Sequence, residues 1–129
     1  MIQTDLKKRT KDFSIRIIRL SKTLSTDWIS ITIGKQIIRC GTSVGANYRA
    51  TVLAKSDKDF INKLKIVEEE LDESIFWMEI LMEAGIIKQA KLSSLLKEGD
   101  ELLRIISASI ITMKKKRKQE KKKRSPNSN

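Results

Sequence analysis

Histidine is absent from this sequence, and cysteine and proline occur once each, as Cys40 and Pro126. Without histidine the usual general base near neutral pH is missing, and so is the commonest metal ligand. Paired metal centres in helical bundles use glutamates from several helices together with Glu-x-x-His pairs. Here the acids gather between Asp57 and Glu101, and the chain before them offers only Asp5, Asp12 and Asp27. No nucleophile elbow and no phosphate-cradling glycine loop occurs either. The sequence therefore predicts no enzyme, no catalytic residue, no metal or other cofactor, and no small-molecule substrate. A lone cysteine cannot form an internal disulfide and suits a reducing cytoplasm, the expected location. Five glycines and one proline are too few turn residues for an all-β or α/β chain. No apolar run approaches the length of a membrane span, and MIQTDLKKRT lacks the apolar stretch of a secretion signal, so membrane insertion is not expected. Aromatic residues make up 5% of the chain and fall on packing faces, so base stacking should not dominate any nucleic-acid contact.

What remains is a chain that is 40% hydrophobic and 33% charged, patterned at helical spacing. Leu6, Thr10, Phe13, Ile17, Leu20 and Leu24 form one face of a first helix, Asp5 to Leu24. Ser25-Thr26-Asp27 reads as a break and cap before a second helix, Trp28 to Ala54. Ser56 with Asp59 three residues later caps a third, whose core positions are Phe60, Leu64, Val67, Leu71, Ile75, Met78 and Met82. Gly85 is the natural stop. A fourth begins near Lys91 or Leu92 and buries Leu92, Leu95, Leu96, Leu103, Ile106, Ile110 and Met113. The fold class is all-α: an antiparallel up-down four-helix bundle over residues 1–113, followed at 114–129 by a basic, flexible tail in which the helix continues a turn or two.

The second helix organises the rest. Gly34, Ile37, Ile38, Gly41, Val44, Gly45, Tyr48 and Val52 fall on one stripe. Each glycine gives up roughly 1 kcal/mol of helix propensity against alanine, a loss that close helix approach would offset. The opposite face is short-chained, and no charge occurs from Cys40 to Tyr48. Such a helix should be buried on two sides. Ile66, Trp77, Ile80 and Ala84 add a second apolar strip on the third helix, so Ile66, Trp77 and Ile80 are predicted to form an oligomer interface.

Charge is segregated along the chain. Residues 1–55 carry a balance of +8, residues 56–113 of −5, and residues 114–129 of +8, within a total of +11. Two basic surfaces stand out: Lys8, Lys11, Arg19 and Lys22 on the first helix, and Lys114, Lys115, Lys116, Arg117 and Lys118 opening the tail. These are the candidate nucleic-acid-binding residues, acting through phosphates. Arg39, Asn47 and Arg49 are expected to meet Glu69, Asp72 and Glu73, with Glu68 nearby, in a structural charge network.

Two blocks, RCGTSVGANYRA (Arg39–Ala50) and AKSDKDFINKLKIVEEELDESIFWMEILMEAGII (Ala54–Ile87), resemble the small bacterial four helix bundle proteins. These are also called intervening-sequence proteins, since some are encoded within insertions in large-subunit (23S) ribosomal RNA genes. The resemblance runs from about Leu6 to Ile87 and more loosely through the fourth helix. It implies an up-down protomer that assembles into a ring-like homopentamer. It also implies a structural likeness to the accessory protein of diversity-generating retroelements, a basic pentamer that binds nucleic acid and a reverse transcriptase. It supplies no catalytic role for any residue. The expected function is RNA or DNA backbone binding by a non-enzymatic oligomer. The alternative is a protein-interaction scaffold or accessory subunit, with a protein partner such as a reverse transcriptase and a tail that only solubilises it.

Overall fold

A computed structural model describes the backbone of residues 2–124 and the side chains from residue 5 to residue 124. Four helices account for nearly all of it: α1 (Ile2–Ser21), α2 (Trp28–Thr51), α3 (Asp57–Glu83) and α4 (Gln89–Arg124), with no strand among the described residues. Each helix packs on its neighbours in sequence, and α1 meets α4 more loosely to close the circle. Short links force the helices to alternate in direction. One end of the bundle thus collects the starts of α1 and α3 and the ends of α2 and α4.

Local chemistry sets the boundaries. The Asp27 carboxylate accepts from the Ser30 N–H (3.0 Å) and opens α2. That carboxylate also accepts from the Ser25 and Ser30 hydroxyls, and these contacts hold its pKa down to about 2. The Ser56 hydroxyl accepts from the Asp59 N–H (3.1 Å), and Asp59 reaches back to the Lys55 N–H (3.0 Å), the reciprocal cap read from the sequence. At the end of α3, Gly85 takes φ +73° while Ile86 N–H donates to Leu81 O and Gly85 N–H to Met82 O. This is the glycine-terminated helix stop, with the left-handed residue just past the cap.

The core is a single cluster built on the predicted stripes, with Phe13, Ile17, Ile37, Val44, Leu64, Val67, Leu71, Met78 and Ile106 fully buried. In three adjacent apolar pairs the phase differs from the sequence reading. Ile61 rather than Phe60, Leu81 rather than Met82, and Leu102 rather than Leu103 point inward. Ile38 and Val52, placed on the packing stripe of α2, are exposed instead.

Gly41 and Gly45 of α2 face α1. A Cβ on Gly41 would lie 2.6 Å from Ile17 Cγ2, and one on Gly45 would lie 2.8 Å from Ser14 Oγ and 3.1 Å from Thr10 O. Ser14 threads this crossing: its hydroxyl donates to Gly41 O (2.7 Å) and accepts from Gly45 N–H (3.1 Å). At Gly45 the α1 backbone itself lies within contact distance, and at Gly41 the Ile17 side chain takes the space a Cβ would need.

Past Met113 the helix runs on without a break to Arg124, three turns rather than the one or two expected. Residues 125–129 lie outside the described part of the chain.

Candidate nucleic-acid interface

The up-down topology brings cations from all four helices to one end of the bundle. Lys7, Lys8, Arg9 and Lys11 come from the start of α1, Arg49 from the last turn of α2, and Lys58 from the first turn of α3. To these α4 adds Lys114, Lys115, Lys116, Arg117, Lys118, Lys121, Lys122, Lys123 and Arg124, with Glu120 the one acid of that stretch. Leu6, Tyr48, Phe60 and Met113 line one shared apolar recess there, which fixes the four ends as neighbours. Arg117, Lys121 and Arg124 line a second recess with Ser56, Asp57 and Lys58, so the basic extension runs alongside the opening of α3.

Lys8, Lys11, Arg19 and Lys22 are all exposed, as expected. They differ in how free they are. Lys8 is bonded to Asp12 (2.8 Å), which holds the Asp12 carboxyl below its usual pKa. Arg19 lies toward the other end, in a shallow recess with Arg16, Thr23 and Lys91. Lys11 faces a groove between α1 and α2 of about 430 Å³, lined by Lys7, Lys11, Ser14, Ile15, Ile18, Thr42, Gly45, Ala46 and Arg49. No acid lines it.

The predicted charge network is smaller than expected and differently composed. Arg39 pairs with Glu73 and reaches Glu70 at 3.6 Å, and Glu73 also accepts from Trp77 Nε1 (3.2 Å). Asn47 does not join: its amide donates to Ser43 O (2.8 Å) within α2. Glu69 and Asp72 are exposed and make no ion pair with either arginine among the described residues. Arg49 is turned away to the α1 side. Ten residues separate it from Arg39, which places the two about 80° apart around the helix. Glu70, which the sequence reading omitted, takes their place. Burial pushes its carboxyl pKa up against the opposing pull of Arg39, and one oxygen has no hydrogen-bond partner.

A stronger charge contact joins α1 to α4. Arg9 grips Glu98 through two parallel bonds (Nε to Oε2 3.1 Å, Nη2 to Oε1 2.7 Å) and reaches Glu101 at 3.0 Å. These bonds raise the arginine's pKa, Glu98 first. The clamp ties α1 to α4 where packing is loosest. Only the i, i+3 spacing of Glu98 and Glu101 marks a paired acidic site, and their partner is 89 and 92 residues away in sequence.

The proposed interface residues divide as well. Ile66 is 43% exposed, whereas Trp77 and Ile80 are half-buried against the core of the same chain. Phe76, not singled out from the sequence, is 49% exposed and stands edge-on to Trp77. Cys40 is fully buried, which raises its thiol pKa and leaves it a packing residue. Among the described residues no cluster of acids and cysteine is placed to hold a metal ion. None of their helices is long and apolar enough to cross a membrane.

Fold and surface together define a small basic all-α protein of four packed helices, with its unpaired cations concentrated at one end. The chain belongs to the 23S rRNA-intervening sequence protein family, whose sequence model matches residues 3–108. It is similar to a crystal structure from Bacteroides thetaiotaomicron VPI-5482, described as a protein with unknown function from the S23 ribosomal protein family. The two share 34% identity over 85% of this chain and 98% of that one, with a TM-score of 0.79. No curated protein matches the chain. The family match stops at residue 108, so the whole basic extension lies beyond it.

Proposed function

We propose that this chain is a non-enzymatic, cytoplasmic nucleic-acid-binding protein that holds RNA or DNA by backbone phosphates and reads little sequence. The observation that carries this reading is the convergence of all four helices' basic segments on one end, with nine cations on a helical extension of α4. Long exposed lysines suit phosphate contact, which is electrostatic and indifferent to base identity. The protomer is further proposed to self-associate into a homopentameric ring through the exposed apolar side chains of α2 and α3. Repetition of weak basic patches on one ring then raises the effective concentration of each.

Filter binding of a structured RNA across a salt series tests the reading, with the full chain compared against one ending at Met113. The full chain should bind with a slope steepened by about 0.9 for each duplex phosphate neutralised, and truncation should remove part of that slope. Weak binding, insensitive to salt and to truncation, overturns it.

The exposed Phe76 and Ile66 favour a second reading, in which this surface docks a protein partner such as a reverse transcriptase. Recovery of a stoichiometric protein after nuclease treatment favours the scaffold; loss of the partner on nuclease treatment favours nucleic-acid binding.

A further inference from the structure

We propose that the groove between α1 and α2 seats the backbone phosphates of a nucleic-acid strand, held by Lys7, Lys11 and Arg49. The assignment deepens the nucleic-acid reading above and rests on it. Lys7, Lys11, Ile15 and Ile18 recur at steps of four, four and three along α1, and Thr42, Gly45, Ala46 and Arg49 answer them on α2. The stretch of α1 from Lys7 to Ile18 is about 16 Å long at 1.5 Å per residue. That admits several phosphates of a strand, which in a duplex carries one about every 3.4 Å.

The three cations are exposed, and among the described residues none of them takes part in an ion pair or hydrogen bond. The nearest acid on α1, Asp12, is bonded to Lys8 and does not line the groove. Two other arginines are consumed internally, Arg9 by Glu98 and Arg39 by Glu73. Arg49 and its two lysines are left for an outside anion.

The neutral donors of the groove are already spent. Ser14 donates to Gly41 O, Thr42 donates to Ile38 O (2.6 Å), and Gly45 N–H donates to Ser14. A pocket for one small phosphorylated molecule would aim such fixed donors at its ligand. This groove offers three long, exposed cations beside the apolar side chains of Ile15, Ile18 and Ala46. That combination recognises charge along a chain, not the outline of a single ligand.

The test is fluorescence anisotropy with a short single-stranded RNA of mixed sequence, across a salt series, on the full chain. The groove variant is Lys7→Ser/Lys11→Ser/Arg49→Ser. The control is Lys65→Ser/Lys88→Ser/Lys97→Ser, which removes the same charge from exposed positions outside the groove. All six side chains are exposed, so circular dichroism should show both variants folded. An exposed charge contact is worth about two- to fivefold in affinity, so the groove variant should bind roughly 10- to 100-fold more weakly. Its salt slope should fall by about 2, at about 0.7 per single-strand phosphate. The control should stay within about threefold of the parent, and Arg49→Lys should retain most of the binding because charge is what the site uses. Equal losses in groove and control variants overturn the groove while leaving the nucleic-acid reading intact. Failure of the parent chain to bind RNA at any salt overturns both. Saturable shifts of the Gly45 and Ala46 amides with inorganic phosphate, with RNA affinity unmoved by the groove substitutions, make this a small-phosphate site and overturn the strand assignment.

Discussion

Gly41 and Gly99 look alike in sequence, each a mid-helix glycine on an apolar stripe, but their neighbours differ. A Cβ at Gly41 meets the branched body of Ile17, with Cγ2 at 2.6 Å and Cβ at 3.0 Å, and that side chain is fixed by β-branching and full burial. A Cβ at Gly99 meets Ile75 Cγ1 and the Phe13 ring edge at 3.3 Å, and one at Gly34 meets a terminal methyl of Leu24 at 3.2 Å. Contacts of this length ask their neighbours to give by only a few tenths of an ångström. Alanine also gains up to about 1 kcal/mol of helix propensity over glycine. Gly41→Ala should therefore destabilise the protein by about 1–3 kcal/mol through overpacking. Gly34→Ala and Gly99→Ala should lie within about 1 kcal/mol of the parent. Urea unfolding followed at 222 nm checks the order; equal midpoints for Gly41→Ala and Gly99→Ala would refute the close crossing. The glycine stripe was legible before any coordinates because three glycines on one face are costly unless a neighbour needs the room. The fate of Arg49 was not. An arginine's direction depends on a rotation of about 80° from Arg39, and the acids on α3 offered an equally good electrostatic partner on paper.

At the scale of elements, caps and periodicity located all four helices, and the differences fall where the pattern is ambiguous. In Phe60-Ile61, Leu81-Met82 and Leu102-Leu103 either residue can continue an i, i+3/i+4 series, and packing selects the one that fits. The extension of α4 tests helix physics more directly. Lys114–Lys118, Arg117–Lys121 and Lys118–Lys122 are like-charged pairs at i, i+4, each destabilising by a few tenths of a kcal/mol. Against them stand two opposite-charge pairings at the same spacing, Lys116–Glu120 and Glu120–Arg124, and the favourable placing of Lys121, Lys122, Lys123 and Arg124 at the negative end of the helix dipole. Screening weakens the repulsion and the attractions together, and the repulsive pairs are more numerous. Ellipticity at 222 nm should therefore deepen as sodium chloride rises from low to moderate concentration. A chain ending at Met113 should show no such change. An identical response in both would place the effect in the bundle and not in the extension.

At the scale of the molecule, the proposed nucleic-acid binding and the proposed self-assembly should answer to salt with opposite signs. Each protomer carries a net +11, so bringing copies together costs like-charge repulsion, and added salt screens it with a Debye length of about 10 Å at 0.1 M. Apolar contact between subunits is not weakened by that screening. Phosphate binding is weakened by it, through the loss of counterion release. Trp77 is a poor probe of the assembly, because its indole bonds Glu73 and packs on its own core; its truncation would disturb the protomer first. Ile66 and Phe76 are better, being about half exposed with little internal duty. Light scattering of the parent chain should give a mass several times 14.8 kDa that holds or grows with salt. Ile66→Glu/Phe76→Ser should lower that mass without loss of helix signal. RNA affinity of the parent should fall over the same salt range. A parent of one-protomer mass at every salt concentration overturns the assembly. A mass that the double substitution leaves unchanged moves the interface off this face of α3. In either case the basic end stands as a separate matter, because its cations come from the fold of a single chain.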